Sequence, residues 1–226
     1  MSENRTAIIT GAGTGIGQAI ASAFAAEGIN LVLAGRRPEP LDEMITTVKG
    51  LGTEAISVPT DVTDRESTHK LAERALSEFG GIDILVNNAG INTVKRNLRD
   101  ITDEDWDRVI GINLTGAFNV FRAVMLQMEA NGGGLVINIS SMAGKKAGTI
   151  GGTAYSASKF GMASLNQSIN AEFRDSGVRA TCIFPGEVDT PILDLRPNPV
   201  SQEKRGAALH PDDIAAAALM VANLPD

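Results

Sequence analysis

Short apolar runs and amphipathic stretches alternate along this 226-residue chain. Residues 6–10 are apolar or β-branched at consecutive positions and read as a strand. Residues 15–27 follow as a helix, with Ile16, Ile20 and Phe24 on one face. The same alternation predicts strands at 30–34, 55–58, 82–86, 135–139 and 178–184. Helices are predicted at 38–51, 64–79, 102–131, 153–176 and 211–223. The third of these opens on Thr102-Asp103-Glu104-Asp105, a cap residue followed by acidic first-turn charges. The strands are apolar on both parities, as strands covered on both faces are, and parallel sheets are built that way. Repeated strand–helix–strand units predict right-handed crossovers and a doubly wound, Rossmann-like parallel β-sheet of the α/β class, with helices on both faces.

Length and pattern suit one domain spanning residues 1–226, with no internal repeat or interdomain linker. Only residues 186–206 read as irregular, with Pro191, Pro197 and Pro199. In such sheets ligands bind beyond the carboxyl ends of the strands. The glycine-rich turn after the first strand, Asn87-Asn88-Ala89-Gly90, Ser140-Ser141 and Pro185-Gly186 all follow strands and are expected to converge there. The net charge of −7 argues against a nucleic-acid partner. No apolar run reads as long enough to span a bilayer, and the polar opening Met1-Ser2-Glu3-Asn4-Arg5 does not read as a signal peptide. Cys182, the single cysteine, cannot form an internal disulfide; it fits a reducing cytoplasm and reads as a packed small side chain. His69 and His210 show no metal-ligand spacing, so no metal site is expected.

Two segments carry chemistry. In Thr10-Gly11-Ala12-Gly13-Thr14-Gly15-Ile16-Gly17 the chain must turn sharply between strand and helix. Glycine permits this and lets a pyrophosphate approach the backbone, while the helix start offers open N–H groups and a positive dipole end. In Tyr155-Ser156-Ala157-Ser158-Lys159 a phenol and an ammonium stand four residues apart on one helix face. In isolation such a pair is surface decoration; here Ser140-Ser141 and Asn113 accompany it. Reduction of a ketone by hydride makes an alkoxide that needs a proton donor. A phenol serves near neutral pH only if nearby positive charge lowers its pKa, and about 3 units would take about 4 kcal/mol.

With these motifs the chain resembles the short-chain dehydrogenase/reductases, single-domain and soluble, from about Arg5 to Asn223. The spacing of the glycine motif, Gly11-x-x-x-Gly15-x-Gly17, together with Asn87-Asn88-Ala89-Gly90 and Tyr155-x-x-x-Lys159, carries the resemblance. It implies hydride transfer between NADP(H) and a small carbonyl or alcohol substrate. Tyr155 is then the general acid/base, Lys159 lowers its pKa and holds the nicotinamide ribose, and Ser141 binds the substrate oxygen. Asn113 fixes a water that links Lys159 to solvent. Ser141 is preferred to Ser140 because Ser141-Met142-Ala143-Gly144 fits the family pattern. The resemblance also assigns Gly11, Thr14, Gly15, Ile16, Gly17, Asn88, Ala89 and Gly90 to the cofactor's phosphates and middle. Asp61 and Val62 border the adenine, and Pro185, Gly186, Val188 and Thr190 hold the nicotinamide amide. Asp61 also reads as a local cap with Thr63 or Asp64.

At the end of the second strand Gly35 stands where an NAD enzyme has a carboxylate, and Arg36-Arg37 follow. A guanidinium can grip a 2′-phosphate by paired hydrogen bonds, so NADP(H) is preferred, with NAD(H) the alternative. Thr14 stands where NADP-preferring relatives often carry a basic residue.

Substrate recognition is expected in a loop of about residues 186–210. Ile192, Leu193 and Leu195 suggest an apolar wall, and Arg196, Lys204 and Arg205 are either solvated charges or contacts for an anionic substrate. Relatives usually add a seventh strand after the last helix matched here. Without it, the run 178–184 is an apolar edge, so a further segment or a partner copy in a homodimer or homotetramer is expected to cover it. Two other readings are a catalytically silent cofactor-binding or sensory module and a longer sugar-nucleotide epimerase or dehydratase. Competent residues at all four catalytic positions argue against the first, and the absence of a C-terminal substrate domain argues against the second.

Overall fold

In the computed structural model, which describes residues 5–225, six strands form one parallel sheet. They are β1 (Thr6–Thr10), β2 (Asn30–Gly35), β3 (Ala55–Pro59), β4 (Ile84–Asn87), β5 (Gly134–Ile139) and β6 (Val178–Ile183), in the order β3-β2-β1-β4-β5-β6. Helices α1 (Gly15–Ala26), α2 (Pro38–Lys49) and α8 (Pro211–Ala222) accompany α3 (Arg65–Phe79), α4 (Asp103–Ile110), α5 (Gly116–Ala130) and α6 (Thr153–Glu172), with a short α7 (Gln202–Gly206).

Strand parity explains the two cores. Side chains of Ala7, Ile9, Leu31, Leu33, Ile137 and Ile139 pack with Ile20, Phe24, Met44 and Ala218 on the side of α1, α2 and α8. Their neighbours Ile8, Val32, Leu85 and Val136 point the other way, onto Leu71, Phe121, Val124 and Ile169 of α3, α5 and α6. The doubly wound expectation holds. The strand order reverses between β1 and β4, which opens a crevice at their carboxyl ends.

Three expectations are corrected. The predicted helix 102–131 is interrupted by a π-helical turn, Gly111–Thr115, between α4 and α5. The predicted helix 153–176 ends at Glu172, and Arg174–Ser176 tighten into a 3-10 turn closed by Gly177. The run Asp103–Ala130 is also long and apolar enough, by length and composition, to cross a membrane. In the fold it is a core helix: Val109, Asn113, Asn119, Phe121 and Met128 are buried against the sheet and its neighbours. Irregular residues 186–206 contain a 3-10 turn, Pro191–Leu195, and α7, whose start is capped by the Ser201 hydroxyl. The opening Met1–Asn4 lies outside the described residues.

β6 is the sheet edge among the described residues. A guanidinium from it, Arg179, reaches the Leu224 carbonyl at 3.0 Å.

Candidate active site

Four loops meet at the crevice, held by their own polar side chains. After β1 the Thr10 hydroxyl accepts from the backbone N–H groups of Asn88 and Ala89, each at 3.0 Å. The Asn88 amide donates back to the carbonyls of Thr10 (2.9 Å) and Gly11 (3.2 Å). After β5, Ser140 N donates to Ile183 O and Met142 N to Pro185 O, both at 2.8 Å. Farther on, residues 187–189 bridge to Leu209: Asp189 N donates to Leu209 O, and Leu209 N to Glu187 O. These bonds put the turns after β1, β4, β5 and β6 around one cleft of about 880 Å³.

The cleft continues into a smaller cavity of about 320 Å³ through shared walls at Gly11, Thr14, Arg37, Ala89 and Gly90. Gly15 sits at the turn with φ +56, a conformation that favours glycine, and Thr190 leans over it. Thr14 precedes α1 in extended conformation and makes no side-chain cap, whereas Asp64 and Thr102 cap α3 and α4. The first N–H groups of α1 thus have no side-chain cap and open on the cleft.

Most of the sequence-predicted residues line this space. Gly11, Thr14, Gly15, Ile16, Arg37, Asn88, Ala89, Gly90, Ser141, Tyr155, Lys159, Pro185, Gly186, Val188 and Thr190 border the large cleft, and Arg36, Asp61 and Val62 the small cavity. Two do not: Gly17 packs behind the turn, and Asn113 is fully buried. Asp61 accepts from both the backbone N–H (2.9 Å) and hydroxyl (2.7 Å) of Thr63, while the cap of α3 is Asp64. Burial pushes the Asp61 carboxyl up, but these two bonds and the Arg36 charge outweigh it and leave it below the usual carboxylate range.

At the other end, Ser141 and Tyr155 face each other. The Ser141 hydroxyl accepts from Ala143 N at 3.1 Å, and Ser141 opposes the rise of the Tyr155 pKa. Ser140 is buried, and its hydroxyl donates to the Lys159 carbonyl at 3.0 Å. The geometry therefore favours Ser141 as the group facing the cleft. Lys159 Nζ lies 5.7 Å from the Tyr155 ring centroid and donates to Ile139 O at 2.7 Å. Burial lowers the Lys159 ammonium pKa to about 8, against a small opposing effect of Cys182. Asn113 donates to Ile91 O (3.0 Å) and to the Ser158 hydroxyl (3.1 Å), and accepts from Ile91 N (2.8 Å). Its side chain ties the loop after β4 to α6.

Burial raises the Tyr155 pKa above the ordinary tyrosine value. The opposing influences are Ser141, then the positive charges of Arg96 and Arg196. The Lys159 ammonium, near the ring, is turned to the carbonyl at the end of β5. Arg96 was not singled out in the sequence. It stands in the loop between Gly90 and α4, and only the chain's return at Gly152, whose neighbour Thr153 donates to Arg96 O at 2.9 Å, brings it to Tyr155. Of the three loop cations, Arg196 lines the cleft and pairs with Glu187 at 2.6 Å. Arg205 pairs with Asp189 at 2.9 Å and with Asp194, which ties α7 to the loop. Burial also raises the half-buried Cys182 thiol, opposed by Ser140, Lys159 and Lys145. This fits its reading as a packing side chain. Among the described residues no cluster of metal-ligating side chains occurs.

Comparison with known proteins agrees with this architecture. A family model described as short chain dehydrogenase matches residues 5–199. The chain is 36% identical over 224 residues to cis-4-hydroxycyclohexanecarboxylate dehydrogenase of Sinomonas cyclohexanicum, covering 97% of this chain and 89% of that protein. It is equally identical over 223 residues to an uncharacterized oxidoreductase of Staphylococcus aureus, covering 98% and 92%. Among solved structures, an alcohol dehydrogenase from the archaeon Thermococcus sibiricus, complexed with 5-hydroxy-NADP, superimposes with a TM-score of 0.89 at 30% identity, covering 99% and 92%. A short chain dehydrogenase/reductase from Burkholderia phymatum in complex with NAD superimposes with a TM-score of 0.88 at 29% identity, covering 97% and 85%. The crevice at the strand-order reversal, the glycine turn into α1 and the family match over most of the chain agree, and the protein belongs to the short-chain dehydrogenase/reductase family of oxidoreductases.

Proposed function

We propose that this protein interconverts a carbonyl and an alcohol with NADP(H) as hydride carrier, Tyr155 acting as general acid/base. The observation that carries the reading is that Ser141 and Tyr155 line one cleft, with the Lys159 ammonium 5.7 Å from the centre of the phenol ring.

A nicotinamide dinucleotide fits the residues present. The joined cavities run from Arg36 and Asp61 at one end to Tyr155 at the other, across the uncapped start of α1. When bound, it supplies the hydride and, in its oxidised form, a positive charge. The backbone N–H groups at the start of α1 would hold phosphate, and Arg36 and Arg37 the 2′-phosphate. Val62 and Asp61 would flank the adenine, and Pro185, Gly186, Val188 and Thr190 the amide end. Lys159 would hold ribose hydroxyls from its buried position.

The protein's own groups manage the proton. Ser141 donates to the substrate oxygen as negative charge builds there. Tyr155 gives that oxygen its proton in reduction and takes it back in oxidation. Burial favours the neutral phenol, the form that donates in reduction. Tyr155 is the chain's only tyrosine, so the phenolate absorbance band reports it alone. We expect the band to appear above the ordinary tyrosine pKa in the free protein and to move to lower pH when oxidised NADP is added. A band that does not move would remove charge-assisted ionisation from the mechanism.

Arg36 and Arg37 are exposed at the end of β2 and border the small cavity. Replacing both with Ala should lower kcat/KM for NADPH by about 10- to 100-fold, at roughly 1–3 kcal/mol for lost charge-assisted bonds, and affect NADH much less. An equal effect on both cofactors would reverse the preference assigned here. The relative acting on cis-4-hydroxycyclohexanecarboxylate supports a secondary alcohol as substrate class. Assembly as a homodimer or homotetramer belongs to the same reading, supported by Leu126, Phe160 and Met220 left exposed on α5, α6 and α8 and by the free side of β6. So does a place in a reducing cytoplasm, supported by the lone Cys182 thiol.

A further inference from the structure

The charges around the cleft oppose the sign of the molecule. The chain carries −7, yet the large cleft is lined by Arg37, Arg96, Lys146, Lys159 and Arg196 against one carboxylate, Glu187. Arg37 belongs to the end beside Thr14, and Lys159 is engaged with Ile139 O. The remaining three cations stand at the Tyr155 end. Glu187 is taken by Arg196.

Arg96 is different from both. It is 3% exposed, and no carboxylate among the described residues pairs with it. Its guanidinium donates to the carbonyls of Ile150, at 2.9 Å, and Leu195. Its Nε–H is buried with no acceptor. Arginine cannot shed its charge by losing a proton, so a buried guanidinium lacking a counter-ion is costly. Nothing else on its loop requires a cation there; Ile91, Asn92 and Ile150 around it are neutral cleft walls. A cost of this kind is relieved when the cleft receives an anion.

We propose that the substrate is an oxo or hydroxy acid whose carboxylate, set apart from the reacting oxygen, is received by Arg96, with Arg196 at the rim. The proposal rests on the oxidoreductase reading above and names the substrate class of that site. The carboxylate would meet the guanidinium where Arg96 lines the cleft and supply the missing charge. The same guanidinium joins Ile150 of the loop before α6 to Leu195 of the loop after β6. An acid bound there would therefore also hold the two substrate loops together. A planar guanidinium suits a carboxylate in particular, since both oxygens can be met in one plane. Neutral ketones of the same shape would leave the cation as it is.

The test compares levulinate with methyl levulinate, and a cyclic ketone acid with its methyl ester, under one cofactor concentration. In the wild type the acids should exceed their esters in kcat/KM by about 10- to 100-fold, the range of a hydrogen-bonded charge pair. Arg96→Gln, which keeps amide donors for the two carbonyls, should bring the ratio close to one. Arg96→Lys, which keeps the charge, should retain most of it. Levulinate should raise the wild-type melting temperature, and methyl levulinate at equal concentration should not. Esters turned over as well as acids by the wild type would overturn the proposal, and this arm stands even if Arg96→Gln fails to fold. Equal losses on acid and ester in Arg96→Gln would also overturn it, leaving Arg96 as a loop tie alone. An acid-specific melting shift without turnover of any carbonyl would support the anion site and sink the oxidoreductase reading. Turnover of neutral ketones with no preference for acids would do the reverse.

Discussion

Tyr155→Phe is expected to lower turnover by roughly a thousandfold, about 4 kcal/mol of barrier, while the protein still folds and still binds NADPH. Phenylalanine keeps the ring that packs over Lys159 and fills the same cleft wall. What it removes is the one phenolic hydrogen that can be handed to the substrate oxygen. Ser141 remains, but a serine hydroxyl bonded to Ala143 N is a poor proton source and can only steady the charge. The expected kinetic signature is a fall in kcat with little change in KM, because the lost group acts as charge develops. NADPH fluorescence on titration separates a binding loss from a chemical one. Turnover within tenfold of the wild type would remove the acid from the mechanism, whatever the fate of the cofactor site.

The expected result is tied to a detail that pattern alone did not reveal. The four-residue spacing of Tyr155 and Lys159 puts both on one face of α6, and this was legible because helix geometry is local. Where the ammonium points was not, since that depends on the carbonyl at the end of β5, more than a helix away in sequence. The same division runs through the molecule. The alternation Leu31, Val32, Leu33 announced a strand buried on both faces, and both faces are covered. The π turn at Gly111–Thr115 was hidden, because residues 102–131 have unbroken helical periodicity. The extra residue in that turn accompanies Asn113, whose bonds reach Ile91 and Ser158. Arg96 was unreadable for a like reason: its surroundings come from Ile150, Gly152 and Leu195, and no local pattern links them. Local chemistry was visible; orientation set by distant backbone was not.

Buried polar groups explain how such distant contacts are kept. Asn87 on β4 donates to Asn138 on β5 at 3.0 Å, and Asn138 to Asn166 on α6 at 3.0 Å. Asn166 and Asn170 in turn donate to Ala180 O of β6, at 3.3 and 2.8 Å. These bonds cross from strand to strand and onto the helix that carries Tyr155. Breaking a link would strand a buried amide, so the register of α6 on the sheet is strongly specified. The phenol is thereby held against Ser141 by groups that never touch the cleft.

The glycine turn depends on close approach, and Gly17→Ala should be the most damaging change there. A Cβ at this position would stand 2.3 Å from Gly11 O, 2.6 Å from Asn88 Nδ2 and 2.9 Å from Gly11 C. Two of these atoms are backbone of the turn, and the third is the amide that clamps it to β4. No rotamer change relieves them, so the start of α1 must move away from the turn. Overpacking of this kind costs about 1–3 kcal/mol. The shift falls on the very N–H groups proposed to hold phosphate, so cofactor affinity should fall further than stability does. Gly206→Ala is the matched control, since a Cβ there meets nothing within 4 Å and α7 lies far along the chain from the turn. The expected outcome is a lowered melting temperature and a large rise in the NADPH dissociation constant for Gly17→Ala, with neither for Gly206→Ala. Unchanged NADPH binding in Gly17→Ala would show that the turn is not where the phosphates rest.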